Sequence, residues 1–346
     1  MTEALTAVAP GSPLREGLDR ILQANRGALI VVGDEADVLS ICSGGFLLDA
    51  EYSPQRLSEL AKMDGAIILA RDASRIARAN VHLVPDPTVP TTETGTRHRT
   101  AERVARSLDV PVISVSETMA VIAVYRNDAK HPLESAARLI NRANQALQTL
   151  ERYKNRLDIV TGALSALEVE DLVTVRDVVT LLQRSEMVRR ISEEIEEYVV
   201  ELGTDGRLVL LQLEELMGGV EDDRHLVVQD YLHEGTIEGA LERLASISTE
   251  DLLDLKTVAW VLHVSTDPGG LDTGLQPRGY RLLSRIPRLP DAVITRVVEH
   301  FSDLPRIMRA SVEELDDVEG VGSGRAKAIK EGLSRLAETS ILDRYS

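Results

Sequence analysis

Two short clusters near the beginning of the chain hold side chains suited to chemistry on phosphates. Thr94-Gly95-Thr96-Arg97-His98-Arg99-Thr100 brings three hydroxyls, two guanidiniums and an imidazole together in a loop that enters a helical stretch. Guanidinium forks bind phosphate oxygens two at a time, and a helix N-terminus adds the positive end of its dipole. The combination suits a triphosphate, although a solvated basic loop has the same composition. Lys62-Met63-Asp64-Gly65-Ala66 stands where a helix meets an apolar run. Asp64 offers a carboxylate to a metal ion or a hydroxyl, and Gly65 a bare backbone to a ribose or base. Asp-Gly is also a common turn. No Walker A sequence and no GxGxxG after a strand is found.

A third cluster lies near the far end. In Leu315-Asp316-Asp317-Val318-Glu319-Gly320-Val321-Gly322-Ser323-Gly324-Arg325-Ala326-Lys327, one short helix ends, the chain turns on glycines, and another helix begins. Glycines accept positive φ and leave room for backbone N–H groups to face an anion. Arg325 and Lys327 oppose the dipole of the new helix unless a phosphate is present. An ordinary helical hairpin with a Gly-rich turn is the alternative.

The elements that must position these groups are legible in outline. Leu14, Leu18, Ile21 and Leu22 recur at helical spacing. Apolar runs at Ala28–Val32, Gly65–Ala70, Val81–Val84, Val110–Val115 and Val121–Tyr125 read as buried strands, with helices over Pro54–Met63 and Thr100–Leu108 between them. This pattern predicts an α/β domain with a mixed sheet covered by helices. From about Pro132 to about Met217, residues with almost no glycine or proline predict long helices, with Glu193, Glu194, Glu196 and Glu197 as a solvated face. Gly203–Gly206 reads as a turn and Ser265–Gly279 as a linker. Short helices are expected over Arg281–Ile286, Asp291–Phe301, Val312–Leu315 and Gly324–Leu336. The domains are therefore placed at 1–145, 146–277 and 278–346.

Composition narrows the function classes. Of 346 residues, 43% are hydrophobic and only 3% aromatic, so aliphatic residues must fill the cores. The single cysteine, Cys42, excludes an internal disulfide and a thiolate metal cluster, and reads as core filling. No signal peptide or membrane-spanning stretch is evident, which points to the cytoplasm. The net charge is −17, but the three segments 1–130, 131–277 and 278–346 carry −3, −15 and +1. Both ends are thus free to meet phosphates, whatever the total.

The glycine turn near the C-terminus resembles the helix-hairpin-helix motif, which grips DNA by its backbone. Ile286-Pro287-Arg288-Leu289-Pro290 resembles a degenerate first copy, so the pair is similar to a tandem RuvA-like domain. Asp64-Gly65-Ala66 and Arg97-His98-Arg99 resemble the DGA and RHR motifs of diadenylate cyclase domains. The likeness extends through Ser43-Gly44-Gly45-Phe46, Leu83-Val84-Pro85-Asp86 and Val112–Ser116. With all three segments in order, the chain resembles the DisA family of DNA-integrity scanning proteins.

That resemblance implies condensation of two ATP into cyclic di-AMP and two pyrophosphates, with Mg2+ or Mn2+ required. Two cyclase domains would meet face to face in an octamer, and branched DNA held by the tails would suppress synthesis. The implied ATP-binding residues are Asp64, Gly65, Ala66, Leu83, Thr96, Arg97, His98, Arg99, Thr100 and Ser116. Asp64, Arg97, His98 and Arg99 carry the catalytic roles, and Asp64 the metal. Gly320, Val321, Gly322, Ser323, Gly324, Arg325 and Lys327 would meet DNA. The resemblance assigns Glu117 no role. Two rivals remain: an ATP-sensing DNA-binding protein without turnover, and a ligase in which Lys62 of a KxDG motif is adenylated. A bacterial ligase's four-cysteine zinc site is excluded by the cysteine count.

Overall fold

The computed structural model describes residues 1–264 and 270–344, with side chains as far as 339. The part of the expected linker at 265–269 lies outside the described residues. The chain divides into two compact units, residues 1–145 with 195–211, and residues 146–194 with 212–346.

In the first unit, α1 (Thr2–Ala7) and α2 (Pro13–Gln23) precede β1 (Ala28–Val32). There follow α3 (Ala36–Ser40), β2 (Cys42–Ser43), β3 (Phe46–Glu51), α4 (Pro54–Leu60), β4 (Ala66–Leu69) and β5 (Arg75–Leu83). The unit continues with α5 (Thr96–Leu108), β6 (Val112–Ser116), β7 (Val121–Arg126) and β8 (Ala129–Pro132). One mixed sheet has the order β2-β5-β4-β1-β6-β7-β8, with β3 also paired to β5. β1 runs parallel to β4 and antiparallel to β6. Both faces of β1 are buried, as its unbroken apolar run requires. One face packs on α2 and α4 through Leu18, Ile21, Leu57, Ile30 and Ile67. The other packs on α5 through Ala101, Val104, Val31 and Ile68. Cys42 is half-buried, and its Sγ lies 3.2 Å from the Val38 carbonyl. Burial pushes its thiol pKa up, with Arg78 pulling the other way.

The long helices are α6 (Ala136–Glu170), α7 (Val175–Leu202) and, after a 3-10 turn at Gly203–Gly206, α8 (Arg207–Met217). Glu193, Glu194, Glu196 and Glu197 are all exposed. The second unit continues through α9 (Val220–Tyr231), α10 (Ile237–Ser246) and α11 (Leu255–Val261). Its C-terminal part holds α12 (Tyr280–Ser284), α13 (Asp291–Phe301), α14 (Leu304–Arg309), α15 (Val312–Asp316) and α16 (Gly322–Arg344) around a core of Leu283, Val297, Leu304, Leu315, Ala326 and Ile329.

A buried polar cluster joins α6, α9 and α12. Arg281 is 0% exposed and pairs with Glu168 at 2.5 Å, while Tyr231 donates to Glu168 Oε1 at 2.8 Å. The Asp230 carboxylate accepts the backbone N–H groups of Gly279, Tyr280 and Arg281 at 2.8, 2.8 and 2.9 Å. Burial, helped by Glu168, pushes the Asp230 carboxyl up to about 7 against the pull of those donors.

Candidate nucleotide site and C-terminal hairpin

The strand register gathers the first site at one end of the sheet. Ala28 pairs with Val115, Leu29 with Ala66, and Ala66 with Val81. The strand ends bearing Ser116, Gly65 and Leu83 consequently lie side by side. Asp64, in the turn before β4, is fully open to solvent on its side-chain face, and Arg97 Nη2 reaches its Oδ1 at 3.1 Å. An ion pair this exposed contributes at most about 1 kcal/mol, so a triphosphate can displace it at small cost.

Gly65 has a structural reason to be glycine. A Cβ there would lie 2.7 Å from the Asn80 carbonyl carbon, where β5 bulges and Asn80 takes φ 55°. Gly27 has a different one: a Cβ would lie 2.3 Å from Arg97 Nη1. The guanidinium rests on that bare backbone on its way to Asp64. Sequence reading missed Gly27 and Asn80, because neither belongs to a motif and both matter through close approach.

α5 begins at Thr96, four residues ahead of the expected start. The motif therefore forms the first turn of a helix rather than the loop before it. Gly95 is the N-cap at φ 85°, with no side-chain cap and open space where its Cβ would be. No side chain therefore caps the first backbone N–H groups of α5. Arg99 and Thr96 are exposed, and Thr100 Oγ1 donates to the Thr96 carbonyl at 2.9 Å. Ser116 Oγ accepts the Met119 N–H at 3.3 Å, and Glu117 lies exposed in the same turn. Leu83 is closed inside the core, while Val84 beside it is 55% exposed. Lys62 is ion-paired with Glu59 at 2.6 Å.

His98 turns inward. Its Nδ1 lies 3.0 Å from Tyr125 Oη and 3.1 Å from Ser114 Oγ. Burial holds its imidazole below the ordinary histidine range, Glu93 opposing and Lys130 and Arg97 assisting. Behind it, Glu102 is a nearly buried carboxylate that fastens the strap before α5. It accepts from the Thr91 hydroxyl, from Thr92 N–H at 3.0 Å and from Glu93 N–H at 3.3 Å, and pairs with Arg106 at 3.1 Å. Burial raises its pKa, yet the hydrogen bonds from Thr91, Thr92 and Glu93, with Arg106, leave it below the usual carboxylate range.

Among the described residues no three His, Cys, Asp or Glu side chains converge as a ready-made metal cluster. The donor set still fits Mg2+ or Mn2+: Mg2+ is commonly held by one or two carboxylates together with substrate phosphates. Asp64 supplies one such carboxylate beside the helix terminus.

In the second unit, α15 and α16 are joined by Asp317–Val321. Gly320 has φ 82° and Gly322 φ 67°. Val321 is buried as the pivot of the turn, while Ser323, Gly324, Arg325 and Lys327 face solvent. Arg325 Nη1 donates to the Gly320 carbonyl at 2.8 Å and Arg296 Nη1 to that of Glu319 at 2.9 Å. The turn is thereby braced from both sides. α16 starts at Gly322, two residues before the expected position. Between α12 and α13, Arg288 takes φ 63° where the second turn has glycine.

Comparison with known proteins agrees with the order of the first two parts. Residues 15–130 match the family model described as DisA bacterial checkpoint controller nucleotide-binding, and 133–268 that described as the DisA bacterial checkpoint controller linker region. The match to that nucleotide-binding family makes the chain a diadenylate cyclase, a nucleotidyltransferase.

The relatives are similar over almost their whole length. "DNA integrity scanning protein DisA" of Parafrankia sp. is 59% identical over 345 residues, 99% of this chain and 96% of the relative. Its counterpart in Streptomyces coelicolor is 56% identical over 351 residues, covering 100% and 94%. The chain belongs to the DisA family. The solved structure of DacA from Staphylococcus aureus overlaps 38% of this chain and 88% of its own at 25% identity, with a TM-score of 0.29. That overlap is too loose to add to the assignment. No helix among the described residues is long and apolar enough to cross a membrane.

Proposed function

We propose that the enzyme condenses two ATP into cyclic di-AMP and two pyrophosphates, each 3′-hydroxyl attacking the α-phosphate held by a facing copy. One observation carries this reading: Arg97, resting on Gly27, reaches Asp64 beside the uncapped N-terminus of α5. That is an anion site with a carboxylate at its rim. In-line attack at phosphorus asks for positioning and charge stabilisation more than for covalent help.

Arg97, Arg99, Thr96, Thr100 and the helix N–H groups hold the phosphates and steady the leaving pyrophosphate. Gly65, Ala66 and Leu83 border the nucleoside through their backbone, since the Leu83 side chain is closed inside the core, and Ser116 on the neighbouring strand end meets a phosphate. Asp64 holds Mg2+ or Mn2+ or orients the hydroxyl. A bound ion would supply neutralisation of phosphate charge. One chain holds one site, so a face-to-face pair is the smallest competent assembly, and an octamer of such pairs fits the reading.

The C-terminal turn acts as a helix-hairpin-helix that meets DNA phosphates through Gly320–Gly324, Arg325 and Lys327, with Arg288 in the degenerate first copy. The relatives' DNA-scanning name supports a DNA partner for this chain, branched DNA being the form expected to suppress synthesis. The ligase alternative loses ground, because Lys62 is tied to Glu59 at the surface rather than set against a nucleotide pocket.

The test is incubation with ATP and either metal, with products weighed by mass spectrometry. Asp64→Asn should abolish cyclic di-AMP while ATP still binds. Undiminished turnover in that variant would remove Asp64 from the mechanism.

A further inference from the structure

His98 stands among the arginines of the phosphate site, where a third positive charge is the obvious expectation. Its surroundings argue for a different state. Tyr125 is 1% exposed, and its hydroxyl lies between His98 Nδ1 at 3.0 Å and Glu93 Oε1 at 3.3 Å. Glu93 is held in place by Lys130 Nζ at 2.6 Å, and that ammonium also lies 5.7 Å from the centre of the Tyr125 ring.

A carboxylate accepts hydrogen bonds and a phenol has one proton to give. Glu93 therefore takes the phenol proton, which leaves the Tyr125 oxygen only its lone pairs to offer His98. An acceptor facing Nδ1 requires the proton to be on Nδ1. Ser114 Oγ, 3.1 Å from the same nitrogen, is a hydroxyl that rotates to suit and does not alter the outcome. Tyr125 keeps its proton firmly, since burial first and Glu93 second raise its pKa well above the ordinary phenol value. With Nδ1 committed, Nε2 carries a bare lone pair. No hydrogen bond to Nε2 exists among the described residues, and His98 is the third residue of α5, in the first turn, which no side chain caps.

We infer that Tyr125 and Glu93 are positioning residues that lock His98 as the Nδ1–H tautomer, so that it meets the nucleotide as a neutral acceptor through Nε2 rather than as a cation. This rests on the cyclase reading of the site. Among the groups of ATP, Nε2 then suits a ribose hydroxyl, a donor, and not a phosphate oxygen. The relay works as second-shell carboxylates do when they fix a histidine's ring and tautomer.

Steady-state synthesis of cyclic di-AMP by the full-length protein separates this role from a structural one. Tyr125→Phe removes the acceptor and should lower kcat by about tenfold or more while KM for ATP stays within about twofold, the usual scale for an orienting partner. Glu93→Ala should behave alike. Glu93→Gln, whose amide oxygen still accepts the phenol proton, should restore most of kcat. Glu93 lies at the rim with its side chain 16% exposed, so its variants keep the test alive if Tyr125→Phe does not fold.

Unchanged kcat in both Tyr125→Phe and Glu93→Ala would overturn the inference. So would a rise in KM alone, or losses in Glu93→Gln as large as in Glu93→Ala. If the unmodified protein makes no cyclic di-AMP under either metal, the cyclase reading itself fails, and that result is distinct from all of these.

Discussion

Arg97 is held by what lies beneath it as much as by its partner. Its guanidinium crosses Gly27, where even a methyl group would come within 2.3 Å of Nη1, and then meets Asp64. Gly27→Ala should fold, because the severe clash is with the free end of a flexible side chain and the Val115 carbonyl oxygen, 3.2 Å from the new Cβ, need yield only a few tenths of an ångström. The displaced fork should raise KM for ATP about tenfold, or ~1.4 kcal/mol, with a smaller change in kcat. ATP titration of the variant checks this, and unchanged affinity would mean that Arg97 reaches phosphate by another path. Residue types were the most legible part of the site: Asp64 and the Arg97–Arg99 cluster stand out in the bare sequence. Their states were not. The sequence leaves the charge of the His98 imidazole open, and the groups that bear on it, Tyr125 and Glu93, are 27 and 5 residues away in the chain. Gly65 reads as a surface laid against a ligand, yet its contact is the Asn80 bulge.

Elements with an unbroken apolar run were legible, and those without one were not. β1, β4, β6 and β7 fall where their runs of Val, Ile and Ala lie. β3 was missed because all but one of its residues are exposed, so Phe46-Leu47-Leu48 has no alternation to betray a strand. β8 is a four-residue edge strand with two charged or titratable residues. The first half of β5 hides Arg75 and Arg78 among small residues. α14 was missed because six residues hold too little periodicity, despite the Asp303 cap and Pro305 at its start. The largest surprise is the ionic cluster beneath α12. Cutting the chain at 278 would strand Glu168 without Arg281, a loss of about 3–5 kcal/mol for a broken buried pair. Asp230 in the same cluster makes a pH prediction. Its carboxyl is near 7 when folded against about 3.9 unfolded. The folded state therefore holds the extra proton, and this contribution is complete below the unfolded value and lost as pH rises through about 7. The urea midpoint of the second unit's transition should fall between about pH 4 and about pH 7 and level off above that, and Asp230→Asn should flatten that slope. An equal slope in the variant would assign the effect to another group.

Charge at the scale of the whole chain looks unsuited to nucleic acid, at −17. The excess of acid is concentrated in the long-helix region, and the C-terminal segment is nearly neutral, with its cations beside an open glycine turn. Binding through phosphate contacts alone should weaken steeply with salt and depend little on base sequence. Replacing Arg325 and Lys327 together by Ala should lower the slope of log affinity against log salt by roughly two, uniformly across DNA sequences. Fluorescence anisotropy with a branched and a linear duplex would measure this; an unchanged slope would move the contact away from the α15–α16 turn. The order of parts along the chain was legible because each has its own texture. The division into units was not, since residues 195–211 return to the first unit after a stretch that belongs to the second.

The strap fastened by Glu102 has a consequence for how a nucleotide is received. Three of the groups that shape the approach to α5, the Thr91 hydroxyl and the Thr92 and Glu93 amides, are satisfied by one carboxylate of the fold itself. Fixing a residue's backbone costs about 1–2 kcal/mol of conformational entropy, and for this segment that cost falls on folding rather than on encounter. ATP arriving at such a mouth spends little of its binding energy on tidying the receptor. More of that energy is left for the difference between the resting nucleotide and the one about to react.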